Sequence, residues 1–342
     1  MKQLKSIVLL LMLSLTTLPL MANEQGEGEA LNIPEIVLHH LADTYEWHIA
    51  GDLSLPLPII ICSEETGEWH FCTASTLPHG FFFNEEAHGK IYERLSDGTA
   101  VRPLDLSITR NVLQIWIVVA LLLVVFLSCA SWYRKHDKTD DAPKGFVGAV
   151  EMLVMMINDD VIKSSIGEKH YKKYAPYLLT VFFFIFFTNL LGLIPIFPGG
   201  SNVTGNINIT FFLAVCTFLA VNLFGNREYW KEIFWPDVPL FLKAIPVMPA
   251  IELFGVFTKP FALMIRLFAN MMAGHAMILA FTCVIFLGWT LGPAMGAGLN
   301  IFSAIMLLFM NALELLVAFV QAYVFTMLSA VFIGLAHKEH GH

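Results

Sequence analysis

Apolar positions along the chain gather in long unbroken runs, not in the alternating or narrow-stripe patterns of a water-soluble domain. The run "NVLQIWIVVALLLVVFLSCASWY" (Asn111 to Tyr133) is long enough to cross a bilayer, which takes about 20 apolar residues in a helix. "APYLLTVFFFIFFTNLLGLIP" and "INITFFLAVCTFLAVNLFG" are two more such runs. Two longer blocks follow, Ala250 to Thr290 and Leu299 to Ala336. The pattern predicts five membrane helices.

The two long blocks exceed what a perpendicular span needs. About 40 residues of helix cover about 60 Å at about 1.5 Å per residue, twice the hydrocarbon thickness of about 30 Å. They either break or lie strongly tilted, and the linker between them, "GWTLGPAMGAG", is uncharged and rich in glycine. Pro260 sits where a helix could start, so the first block could begin there.

Charge orients the spans. Arg134, Lys135, Lys138 and Lys144 follow the first span, and basic loops stay cytoplasmic. The loop "IFPGGSNVTGN" has no Lys or Arg, as an external loop should. Arg227 and Lys231 follow the third span. An outside start with five spans puts the C-terminal tail in the cytoplasm. Between the first two spans, Phe146, Val150, Leu153, Val154 and Ile157 recur at helical spacing, which predicts an amphipathic helix on the cytoplasmic surface.

The N-terminus reads as a secretory signal over residues 1–22: Lys2 and Lys5, the apolar "IVLLLMLSLTTLPL", then a small residue, Ala22. An uncleaved first membrane helix is the alternative. Residues 23–107 have the composition of a soluble, acidic segment and would lie outside, in the periplasm of a bacterial inner (plasma) membrane protein. "KIYERLSDGTAVRPLDLSIT" alternates apolar and polar residues about Asp97–Gly98, predicting a β-hairpin in a small, partly β external region. Residues 108–342 make up the membrane domain. The fold expected is an all-α polytopic membrane protein with this external addition.

Composition agrees. The 342 residues are 56% hydrophobic and only 14% charged, whereas soluble domains are nearer 25% charged. The net charge of −8 argues against a nucleic-acid partner, which calls for a basic face. Cys62 and Cys72 lie in the external segment, where an oxidising compartment would permit a disulfide. Two free thiols are the alternative. Cys129, Cys216 and Cys283 lie in spans and read as packing residues.

The chemistry lies in a few polar residues within apolar helix. Arg266 is in "KPFALMIRLFANMMAGHAMILAF" with no acid nearby. A charge at mid-bilayer costs about 2.5–3.5 kcal/mol on insertion scales, and arginine keeps its proton at any relevant pH. Snorkelling to an interface would explain a lone arginine, but His275 and Glu314 also need explaining. Asn270 shares a face with Arg266, four residues on, while His275, nine on, points nearly opposite. Asn311, Glu314 and Gln321 make a polar stripe on the second block, with hydrogen-bond glue between helices as the plainer account. A fixed cation beside two titratable groups looks like a gated proton route. No nucleophile–base pair, phosphate loop or cofactor site is evident.

"KPFALMIRLFANMMAGH", the later "ELLVAFVQAYVFTMLSAVFI", "TNLLGLIP" and "IELFGVFTKP" resemble subunit a of the F-type ATP synthases, the membrane stator of that rotary motor. The resemblance implies that Arg266 faces the ion-binding carboxylates of a rotating c-ring and blocks a leak between two offset proton half-channels. It implies that Asn270 and Gln321 lie near the arginine. It places His275 and Glu314 at paired positions of the outward half-channel, exchanged relative to some bacterial members and matching mitochondrial ones. Glu252 falls on a family acid position toward the cytoplasmic side. The implied partners are the c-ring subunits, the subunit b stator stalk, the F1 sector and the lipid bilayer. The subunit would conduct ions for ATP synthesis, bind no cofactor and hydrolyse nothing itself. The long external segment departs from the family pattern; a cap over the half-channel opening is one role for it. A secondary ion-coupled transporter is the main alternative. A ligand-sensing receptor and a haem-binding subunit fit less well, lacking an output domain and paired histidines in the spans.

Overall fold

The computed structural model describes residues 42–50, 53–84, 87, 89–136, 143–194, 199–234, 247–290 and 293–337. The expected signal segment lies outside them. Contacts divide the chain into two compact units. The first takes residues up to Ile117, Leu190–Val203 and Met272–Leu315; the second takes Val118–Asn189, Thr204–Met271 and Leu316 onward.

In the first unit the described residues of the external region form eight short strands in three small antiparallel sheets: β1 (Glu46–Ala50) with β2 (Leu53–Pro56); β3 (Ile59–Cys62) between β4 (Trp69–Cys72) and β8 (Leu104–Asp105); and β6 (Lys90–Arg94) between β5 (Phe81–Asn84) and β7 (Ala100–Val101). Ile59, Ile61 and Ile91 are buried together with Tyr45. The predicted hairpin forms as β6–β7, and its turn is closed by Gly98 at φ +84° and by Asp97 Oδ1, which accepts from the Thr99 N–H at 2.8 Å.

The anticipated Cys62–Cys72 bridge does not form; both are free thiols. The β3–β4 register pairs Cys62 with Trp69 and Cys72 with Ile59. Three steps of about 3.3 Å then separate the two cysteines along the ladder, beyond disulfide reach. They also project from opposite faces, Cys72 toward the buried Ile59 and Ile61.

Among the described residues seven longer helices follow: α1 (Arg110–Lys135), α2 (Phe146–Met155), α3 (Tyr171–Gly192), α4 (Ile207–Phe224), α5 (Arg227–Phe234), α6 (Val247–Thr290) and α7 (Pro293–Ala336). Among the described residues five are long and apolar enough to span: α1, α3, α4 and the bulk of α6 and α7. Each predicted apolar run is therefore one helix. At 44 residues apiece, α6 and α7 are each about 66 Å long. To stay in a hydrocarbon layer of about 30 Å they must incline steeply. They pack antiparallel: in the first unit Gly274 meets Glu314, and in the second Asn270 meets Gln321.

Two expectations change. Pro260 does not start a helix; α6 runs straight through it. Much of the glycine-rich linker, from Pro293, is helical and belongs to α7. The amphipathic stripe forms on α2 and continues past its end: Val150 and, beyond the helix, Ile157 are buried in the second unit and Leu153 and Val154 partly so, while Phe146 is exposed. Beyond α2 the chain widens into a π-helical stretch, Met156–Lys163. Its i→i+5 bonding aligns residues four and five apart, so Ile157, Val161, Ile162 and Ile166 all enter the core of the second unit beside Phe182 of α3.

Candidate functional site

In the second unit, Leu263, Met264 and Leu267 turn one side of α6 into the core. The opposite side, including Ala262, Arg266, Ala269 and Asn270, is exposed. No hydrogen bond or ion pair holds Arg266 among the described residues. Alanines on both sides of it keep this face flat. Asn270 Nδ2 donates to Gln321 Oε1 at 2.8 Å, and Gln321 is buried. The predicted neighbours Arg266, Asn270 and Gln321 thus assemble, with the arginine free to meet a charge from outside the chain.

In the first unit, His275 and Glu314 come together. Nδ1 of His275 lies 2.5 Å from Glu314 Oε1, an ion-pair contact and not an aligned hydrogen bond. Glu314 is 4% exposed. Nε2 of His275 is 3.3 Å from the Gly192 carbonyl oxygen. A carbonyl only accepts, so Nε2 carries the hydrogen, the tautomer being assigned by this partner.

Two candidates stay apart from these groups. Asn311 spends its Nδ2 on the Leu307 carbonyl of its own helix, at 2.8 Å. Glu252 is exposed; burial, and then the charge of Glu252, push the Tyr229 phenol above its ordinary value.

Sequence reasoning missed the glycines. A Cβ on Gly274 would stand 3.0 Å from Glu314 Oε1, and one on Gly192 3.7 Å from His275 Nε2. Only glycine leaves room for the carboxylate, and Gly192 brings a backbone carbonyl to the imidazole. It also missed Asn111, Gln114 and Ser201, ordinary polar residues at the ends of apolar runs.

A family model described as the ATP synthase A chain matches residues 112–334, and one described as a domain of unknown function, DUF8433, matches residues 36–106. A protein named ATP synthase subunit a from Chlorobium phaeobacteroides (strain DSM 266) is 46% identical over 246 residues, 69% of this chain and 67% of its own length. One of the same name from Myxococcus xanthus (strain DK1622) is 38% identical over 311 residues, 85% of this chain and 92% of its own. One from Anaeromyxobacter sp. (strain Fw109-5) is 36% identical over 332 residues, 93% and 74%.

Proposed function

Because the chain belongs to the ATP synthase subunit a family, we propose that it is the proton-conducting stator subunit of a bacterial F-type ATP synthase. It provides two offset half-channels against a rotating c-ring and couples proton flow to rotation and ATP synthesis. It is not catalytic itself; nucleotide chemistry belongs to the F1 sector, reached through the subunit b stalk. It lies in the inner membrane, with the strand-rich region periplasmic and the C-terminus cytoplasmic.

The observation that carries this reading is Arg266, exposed on a face of apolar helix without a carboxylate of its own. An unpaired intramembrane cation costs kilocalories, and a passing rotor carboxylate would offset that cost. Ala262 and Ala269 let a partner helix approach closely. The cation draws each rotor acid into its charged form, so the acid must release its proton on one side before it passes. Asn270 and Gln321 hold one another beside the arginine. His275 and Glu314 hold a transferable proton in the outward half-channel, and Glu252 serves the cytoplasmic side.

Replacing Arg266→Ala in the assembled synthase tests this. ATP-driven proton pumping into membrane vesicles is expected to vanish while the subunit still copurifies with the complex. Full pumping by an assembled variant would overturn the role.

A further inference from the structure

The His275–Glu314 pair does not stand alone. A Cβ on Gly192 would lie 3.2 Å from the Ser201 carbonyl oxygen as well as near the imidazole, so His275, Gly192 and Ser201 form one layer. Ser201 is fully buried. Its hydroxyl donates to Asn111 Oδ1, and its backbone N–H donates to Gln114 Oε1 at 2.9 Å. The backbone N–H of Asn111 donates to Asp43 Oδ1 at 3.2 Å. Arg110 fixes the same edge of the external region: its N–H donates to Thr44 O at 3.0 Å and Nη2 to Ala42 O at 3.3 Å. Polar groups therefore succeed one another from the external region to Glu314, all within one compact unit.

Gln114 separates a structural account from a functional one. It is fully buried on α1, and its Nε2 finds no partner among the described residues. The amide cannot be flipped to cure this, because Oε1 must accept from Ser201. Interhelical glue satisfies both ends of a buried amide, since a buried donor without a partner is destabilising. A donor left over beside a buried hydroxyl and a second amide is what a proton-carrying water file needs.

We propose that the external region builds the outer entrance of the proton path, with Asp43 at the rim and Asn111, Gln114 and Ser201 forming the throat that leads to His275 and Glu314. This rests on the function proposed above. A proton passes from bulk water to the Asp43 carboxylate, then along water held by the two amides and the hydroxyl, and onto the His275–Glu314 pair. Asp43 returns to its charged form with each transfer. The amides and the hydroxyl neither gain nor lose protons; they position.

The test uses the whole synthase in proteoliposomes. Gln114→Leu should lower ATP-driven proton flux about tenfold in assembled complex, with Gln114→Asn recovering part of it. Asp43→Asn should lower flux severalfold and Asp43→Glu should not. Because Gln114→Leu could hinder folding, a second readout uses Ser201→Cys, a near-isosteric change, with the native cysteines replaced. Externally added silver ion should block its flux, whereas Trp116→Cys, on the exposed side of α1, should resist. Parent-level flux in Gln114→Leu, or a silver-insensitive Ser201→Cys, overturns the entrance. If Arg266→Ala still pumps, the stator reading fails; if Arg266→Ala is dead while Gln114→Leu conducts normally, only the entrance fails.

Discussion

Gly274→Ala sets two effects of known size against each other. In an ordinary helix the change helps by about 0.5–1 kcal/mol, because alanine loses less backbone freedom on folding. Here the new methyl would stand 3.0 Å from Glu314 Oε1 and 3.1 Å from its Cδ, whereas carbon contacts settle at about 3.5–4.0 Å. The carboxylate must retreat by about half an ångström, and at 4% exposure it has no free space to enter. Overpacking of this kind costs about 1–3 kcal/mol, so the loss outweighs the helix gain. Gly255→Ala, on the same helix with no atom within 4 Å of the added Cβ, should show the gain alone. The two variants should therefore differ by about 1–3 kcal/mol, a separation of several degrees in unfolding midpoint. Proton flux should fall for Gly274→Ala only, because the carboxylate leaves its place against His275 Nδ1. Thermal unfolding of the purified complex and vesicle pumping measure both. Equal stabilisation by the two alanines, with parent flux at 274, would refute the close fit of glycine and carboxylate.

Exchanging the pair, His275→Glu with Glu314→His, should retain more proton flux than either replacement alone. Removing one partner of a buried pair costs about 3–5 kcal/mol, and a double exchange no better than the singles would show that the two act separately. In the external region, Tyr45 is 4% exposed and donates to the Asp105 carboxylate; burial first, then Asp105, hold its phenol above the ordinary value. The folded state therefore keeps a proton that the unfolded chain sheds, so this contribution is intact below about pH 10 and declines above it. Tyr45→Phe should flatten that decline in a pH series of unfolding midpoints, and identical slopes would remove the linkage.

The five spans were legible because length and apolarity alone decide them, and Arg266 because a charge in such a run is costly. What stayed hidden depended on tertiary neighbours. Pro260 read as a helix start and the glycines before Leu299 as a linker, yet packed α6 and α7 run through them; in an apolar setting the alternatives to helix leave backbone groups unbonded. The stripe beginning at Phe146 was visible, but no pattern says whether protein or lipid covers it. Cys62 and Cys72 were close in sequence, yet strand register put them at different rungs and on opposite faces. The pairing of His275 with Glu314 came from the family resemblance and not from the residues' own pattern, because it needs two helices aligned over long separations. Helix-face arithmetic supplies which way each side chain points, not the offset between helices.

Glycine recurs opposite polar side chains in the first unit, and the pairing yields a rule about cost. Gly192 faces His275, Gly274 faces Glu314 and Gly288 faces Asn300. Glycines in membrane helices are usually read as seats for a neighbouring backbone; Gly274 and Gly288 seat polar side chains, and Gly192 seats both a backbone carbonyl and an imidazole. Distance alone would rank Gly288→Ala worst, since its Cβ would fall 2.1 Å from Asn300 Oδ1. Yet that oxygen has no partner among the described residues, so the amide can swing aside and lose nothing. At Gly192 the obstacle is the Ser201 backbone carbonyl, 3.2 Å away, and Ser201 is pinned by Asn111 and Gln114. The expected order of damage to stability and flux is therefore Gly274→Ala and Gly192→Ala well above Gly288→Ala, the reverse of what the closest contact suggests. A Gly288→Ala variant as impaired as the other two would mean that contact distance, not the freedom of the group contacted, sets the cost of filling these seats.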